Sequence, residues 1–337
     1  MSRGRWGRAA LALLVIGSGC RAAPDAETRV RQALHLPHRT SAPLSARVDS
    51  SWRRRDAVVE RVRFDGYHGR TIPALVSWSE LPRARPLPVL LVMPGSPNRK
   101  EDLLQPRALL PLWAQAGFFV LTIDRPYHGE RPGDPAEAIR AKGLPRVLGE
   151  YVLDLQRALD YAASRPEADA GRIGMMGLSM GGMEALLLAS IDERVDCVAS
   201  VAGQLCWAEV FGTVAWRRLF GGLPLTERLI REEASPHRVR EAFLAWMPEL
   251  TVLDAPRLAA SLAPRPLLLM TGELDPFITP AAARRTFAAA APAYADSAAD
   301  RLELWIEEDV GHGFSRPMES RVLAWFQRWL EPLPDSH

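Results

Sequence analysis

Lysine is almost missing from this chain. Of the 42 basic residues only Lys100 and Lys142 are lysines, and the rest are arginine. Against 40 acids they leave a formal charge of +2. The arginines form no stripe interleaved with aromatics, so no nucleic-acid partner is expected. Cysteine is scarce as well: Cys20, Cys197 and Cys206 are too few for a disulfide framework. No cysteine and histidine cluster has the spacing of a zinc site, and neither metal nor organic cofactor is expected. Cys197 lies in an apolar run and Cys206 just beyond it, as small buried hydrophobes do. The apolar run Ala9 to Ile16 is far short of the roughly 20 residues that span a bilayer. There is no internal repeat and no low-complexity tract. What remains is a chain of 337 residues, 47% hydrophobic, long enough for one large α/β domain with an insertion or for two modest domains.

The first residues read as an export signal over 1–19. Arg3, Arg5 and Arg8 precede the apolar run, and Gly17, Ser18 and Gly19 lead into Cys20. A cysteine directly after small residues resembles a bacterial lipoprotein signal, in which Cys20 carries the lipid and attaches the mature chain to a membrane. Gly17 departs from that pattern, where leucine is usual. A plain cleaved signal, leaving a periplasmic or secreted protein, is the alternative. Removing residues 1–19 deletes three arginines and no acid, which takes the net charge from +2 to −1. Residues 20–55 are polar and proline-bearing and read as a tether and lead-in, with the main domain over 56–337.

From Ala57 the pattern turns to alternation through Phe64, a turn at Asp65-Gly66, and a second apolar stretch from Ile72 to Trp78, which predicts a β-hairpin. Apolar runs at 88–93 and 118–123 have the character of strands buried on both faces, and 172–176, 197–201, 266–270 and 302–306 read as further strands. Helical patterns at 103–116, 147–164, 281–291 and 318–330 alternate with them. Such alternation predicts a mostly parallel twisted sheet with helices on both faces, its post-strand loops gathered at one edge. Residues 204–264 break the rhythm and read as a helical cap. Its aromatics, Trp207 and Trp246 among them, are candidates for lining a substrate pocket or for forming the cap's own core.

The chemistry centres on Gly177-Leu178-Ser179-Met180-Gly181-Gly182. A strand-like run leads in and a helical one leads out, so Ser179 sits at the apex of a sharp turn that only small neighbours permit. A serine hydroxyl needs a histidine base, and the histidine an orienting carboxylate. His312, in Gly311-His312-Gly313 after the last strand, supplies the first. Asp275, in Gly272-Glu273-Leu274-Asp275-Pro276, supplies the second in preference to Glu273 or Asp309. Serine, acid, histidine is the chain order of this arrangement. Backbone amides of Met180 and Ser96, with Gly95 as a substitute for the latter, are placed to hold an oxyanion. His128 lies near the same edge and is assigned to bracing the loops or bordering the pocket.

Together these motifs resemble the α/β-hydrolase superfamily over roughly residues 56–331. Met93-Pro94-Gly95-Ser96 and Asp124-Arg125-Pro126-Tyr127-His128-Gly129 are most similar to its dienelactone-hydrolase and acetyl-xylan-esterase-like branches, although Pro94 stands where many relatives have histidine. The resemblance implies a serine hydrolase that cleaves a small-molecule carboxylic ester through an acyl-serine intermediate. A peptidase or amidase using the same triad and an exported hydrolase-like binding protein are the alternatives.

Overall fold

The structure is a computed structural model that describes residues 25–37, 42–80 and 86–330. The expected export signal and Cys20 lie outside these residues. Among the described residues no helix is long and apolar enough to cross a membrane.

Nine strands of the described residues make one sheet: β1 (Arg47–Arg54), β2 (Ala57–Asp65), β3 (Thr71–Ser79), β4 (Leu87–Met93), β5 (Phe119–Ile123), β6 (Ala168–Leu178), β7 (Cys197–Val201), β8 (Leu267–Gly272) and β9 (Leu302–Glu307). Their order is β1-β2-β3-β5-β4-β6-β7-β8-β9. The first three strands run antiparallel to one another and β3 to β5, while every pair from β5 to β9 is parallel. All residues of β4, β5, β7 and β8 are buried, which is why these segments read as unbroken apolar runs.

Among the described residues twelve helices accompany the sheet. The first five are α1 (Ala26–Ala33), α2 (Leu109–Gln115), α3 (Pro135–Lys142), α4 (Leu144–Ala163) and α5 (Met180–Ile191). Five more lie between β7 and β8: α6 (Trp207–Gly212), α7 (Ala215–Leu219), α8 (Pro224–Arg231), α9 (Pro236–Trp246) and α10 (Ala255–Ser261). The last two are α11 (Pro280–Ala290) and α12 (Arg316–Leu330). Helices α4 and α5 cover one face of the sheet and share its core with the aromatics between β7 and β8. Helices α2 and α12 cover the other face with Trp113, Val322, Trp325 and Phe326. The fold is an α/β-hydrolase fold.

Three segments differ from the sequence expectation. Within the described part of the tether and lead-in, Val30, Ala33 and Leu34 of the α1 region are buried, and β1, a strand not expected there, pairs with β2. Exposed arginines and serines give β1 a polar edge-strand composition, which hides it from a hydrophobic pattern. The helix expected from 103 starts only at Leu109, because Pro106 intervenes and Ala108 is left-handed, with φ +56°. Within 204–264, α10 is no part of the cap; it packs on α5 and α11 in the position of a crossover helix between parallel strands.

Strand order reverses at β4, since the chain passes from β4 to β5 on one side and then to β6 on the other. In open α/β sheets such a switch point leaves a crevice beyond the carboxyl ends of the strands. The register Met93↔Gly177 brings the two loops that flank this crevice side by side.

Candidate active site

Ser179 occupies the tight turn between β6 and α5 with φ +55° and ψ −117°, a backbone state costing about 1–3 kcal/mol for a non-glycine residue. Two glycines make the turn sterically attainable. A Cβ on Gly177 would lie 2.1 Å from the carbonyl group of Gly181, and one on Gly181 would lie 2.3 Å from Met93 O. The Ser179 amide donates to Val201 O at 2.8 Å and pins the turn to β7. The strain therefore serves to hold the hydroxyl out over the crevice.

His312, beyond β9, approaches from the other side. Its Nε2 is 2.9 Å from Ser179 Oγ, and its Nδ1 is 2.7 Å from Asp275 Oδ2. Asp275 is buried, and its Oδ1 accepts from the amides of Phe277 at 2.8 Å and Ile278 at 2.9 Å. With a carboxylate as the partner of Nδ1, the proton belongs on that nitrogen and the Nε2 lone pair faces the serine. The two rival acids lie elsewhere: Glu273 Oε2 accepts from the amide of Asp309 at 3.4 Å, on the exposed side of the turn.

Met180 begins α5, so its amide is among the first-turn donors that have no partner within the helix. Ser96, which follows β4, borders the same cavity. The backbone of Gly95 abuts the serine, since a Cβ there would be 3.2 Å from Ser179 Cβ. This loop is braced from behind. Ser96 Oγ is 2.9 Å from His128 Nε2, while His128 Nδ1 is 2.9 Å from Pro126 O. A carbonyl only accepts, so Nδ1 donates to it and Nε2 accepts from the serine hydroxyl. Burial holds the His128 pKa below its ordinary value and keeps the ring neutral.

Sequence reasoning missed the second brace. Arg125 donates to Pro94 O and lies 2.8 Å from Glu184 on α5, both side chains being buried. Burial pushes the Glu184 carboxyl up to about 7, against the pull of Arg125. The available signal was a lone acid in the apolar run Met183 to Ala189. A third brace joins Lys100 Nζ to Asp124 and Glu130, each at 2.6 Å, across the base of the loop after β5.

Ser179 and His312 face a cavity of about 310 Å³. Its apolar wall comes from Ile139, Leu144, Leu219, Phe220, Leu223 and Ile278. The two tryptophans named from sequence are not in it. Trp207 is turned into the cap, stacked on Phe211 and donating Nε1–H to Leu253 O at 3.1 Å. Trp246 is 39% exposed beside a separate surface groove. Both follow from helix phase: α6 and α9 bury the stripe that packs the cap, and the cavity is met instead by α7 and the turn after it. Among the described residues no three histidine, cysteine or acidic side chains converge as a metal would require.

Residues 108–332 match the profile of the prolyl oligopeptidase family. Two proteins of Bacillus subtilis (strain 168) are among its relatives. The one named "Putative esterase YitV" is 25% identical over 259 residues, which cover 77% of this chain and 96% of YitV. The one named "Putative hydrolase YtaP" is also 25% identical, over 218 residues that cover 64% of this chain and only 66% of YtaP. Of solved structures, an acetyl xylan esterase from Paenibacillus sp. R4 superposes with a TM-score of 0.61 at 22% identity, covering 90% of this chain and 92% of that one.

Proposed function

The chain belongs to the prolyl oligopeptidase family of α/β-hydrolases, and from that premise we propose that it hydrolyses a carboxylic ester by way of an acyl-serine intermediate. The observation that carries this reading is the hydrogen-bonded line Ser179–His312–Asp275 opening onto a cavity beside the Ser96 and Met180 amides. Ser179 Oγ attacks the ester carbonyl while His312 Nε2 takes its proton. The carbonyl oxygen gains negative charge and turns toward the two amides. Collapse breaks the bond to the alcohol, and His312 returns the proton to the departing oxygen. Water then enters, gives its proton to His312 and attacks the acyl carbon, releasing the acid and the free serine. Asp275 keeps the imidazole in the required tautomer throughout.

Ester is favoured over amide by the likeness to YitV along nearly its whole length. The family profile takes its name from peptidases, and the same three residues are competent for amide cleavage. A panel of p-nitrophenyl esters set against peptide anilides separates the two. Esters are expected to be turned over faster, and a fluorophosphonate is expected to label Ser179. Ser179→Ala should abolish labelling and cut kcat on the order of 10⁴-fold or more. Labelling on another serine, or anilides turned over in preference to every ester, would refute this reading.

A further inference from the structure

The cavity beside Ser179 is walled mainly by apolar side chains, and among the described residues one permanent cation borders it. Arg218, in α7 of the cap, is among its lining residues, and no acidic residue is. Among the described residues Arg218 has no carboxylate partner. Two other arginines that contact the cap are engaged: Arg285 pairs with Glu209 at 2.8 Å, and Arg140 donates to Gly222 O at 3.2 Å.

What holds Arg218 is a ring. Its guanidinium lies 4.7 Å from the Phe277 centroid, and Phe277 in turn stands edge-on to His312 with centroids 5.1 Å apart. A single aromatic ring thus separates the cation from the base. Stacking on a ring face restrains the guanidinium but leaves its N–H edge free, and that edge matches a carboxylate in a two-point fork.

We propose that Arg218 receives a carboxylate carried on the alcohol part of the ester, so that the preferred substrates are esters whose leaving group is anionic close to the scissile bond. The proposal rests on the ester-hydrolase reading above, and the side of the bond follows from its chemistry. The carbonyl oxygen turns toward the Ser96 and Met180 amides. The departing oxygen must meet His312 Nε2 to regain a proton. The alcohol therefore leaves along the His312 and Phe277 side, where Arg218 stands. Arg218 is itself exposed, so the contact is open to screening by salt.

The test compares para-acetoxybenzoate with para-acetoxybenzamide, which share an acetyl group and differ in the charge on the leaving group. Wild type is expected to favour the benzoate in kcat/KM by about tenfold, the scale of one charge-assisted contact. The preference should shrink as sodium chloride is raised, and should fall to near one in Arg218→Gln. Equal kcat/KM for the two esters in wild type, or a preference that survives Arg218→Gln, would overturn the proposal. If neither ester is turned over, the ester-hydrolase reading fails by itself. Ligand-observed NMR with para-hydroxybenzoate needs no turnover and then judges Arg218 separately. Binding at least about tenfold weaker in Arg218→Gln than in wild type supports it, and equal binding overturns it.

Discussion

Asp275 shows how much of a residue's role lies in its surroundings. Two amides hold one carboxylate oxygen, and the other is left for His312 alone apart from a long 3.4 Å approach by Thr271 Oγ1. Asp275→Asn keeps the shape but offers an amide that accepts the same backbone bonds while favouring the wrong imidazole tautomer. We expect kcat to fall on the order of 10⁴-fold, the scale known for this change in a serine protease. The loss should not add to that of Ser179→Ala, because the carboxylate acts only through the histidine and the serine. Steady-state kinetics of the double variant should match those of Ser179→Ala alone. Near-normal turnover in Asp275→Asn would mean that the imidazole is oriented by some other group. The glycines beside His312 teach the opposite lesson. Gly311 and Gly313 flank the histidine, yet a Cβ on either would meet nothing closer than 4.0 Å. The crowded position is Gly272, at the end of β8, where a Cβ would lie 2.1 Å from Val310 O.

Among the elements, the loop between β5 and α3 does the most positioning. It carries Arg125 and His128 to the back of the Ser96 loop, and it is fastened at its base by Asp124, which takes bonds from Lys100 and from the amide of Glu130. Its sequence could be recognised as a motif, but its partners could not, because they come from the segment after β4, from α4 and from α5. The neutral state of His128 gives this loop a pH dependence. Burial depresses the His128 pKa in the folded protein, so on acidification the unfolded chain takes up the proton first. The stability tied to a neutral His128 is full above the ordinary value of 6.5 and is lost as the pH falls through it. Glu184 and Asp154, pushed up by burial to about 7 and about 6, act in the opposite direction. They hold protons in the folded state that the unfolded chain releases, and so they add stability as the pH falls from 7 toward ordinary carboxylate values. The informative quantity is the difference between variants. Between pH 7.5 and 5.5, roughly the range of an imidazole, His128→Gln should lose less Tm than wild type. Equal losses would show that His128 is not held neutral by the fold.

Across the whole molecule, what sequence revealed and what it hid divide along one physical line. Buried parallel strands and the triad turns are local signals: each announces itself by an unbroken apolar run or by glycine spacing. The orientation of the cap is not local. Its helices are short, and their aromatics serve two surfaces at once, so composition identifies a cap without telling which rings face the substrate. Phe243 is wholly buried at the centre, with ring neighbours Phe211, Phe220, Trp216 and Trp246. Of these, Phe211, Trp216, Phe220 and Phe243 belong to the same continuous core as α4 and α5. The contacts at the cap surface, such as His35 to Glu249 at 3.1 Å, are solvent-facing pairs of little weight. Packing therefore joins the cap to the sheet, and the two should unfold together. Phe243→Ala removes the central ring at a cost of about 3–5 kcal/mol. For a chain of this size that corresponds to roughly 5–8 °C in Tm, and calorimetry should record one cooperative transition moved down by that amount. Phe220, which forms part of the cavity wall, would lose its support, so preference among esters of different acyl length should flatten while Ser179 still reacts with a small fluorophosphonate. A trace split into two transitions, with the larger one unmoved, would instead make the cap an independently folding unit.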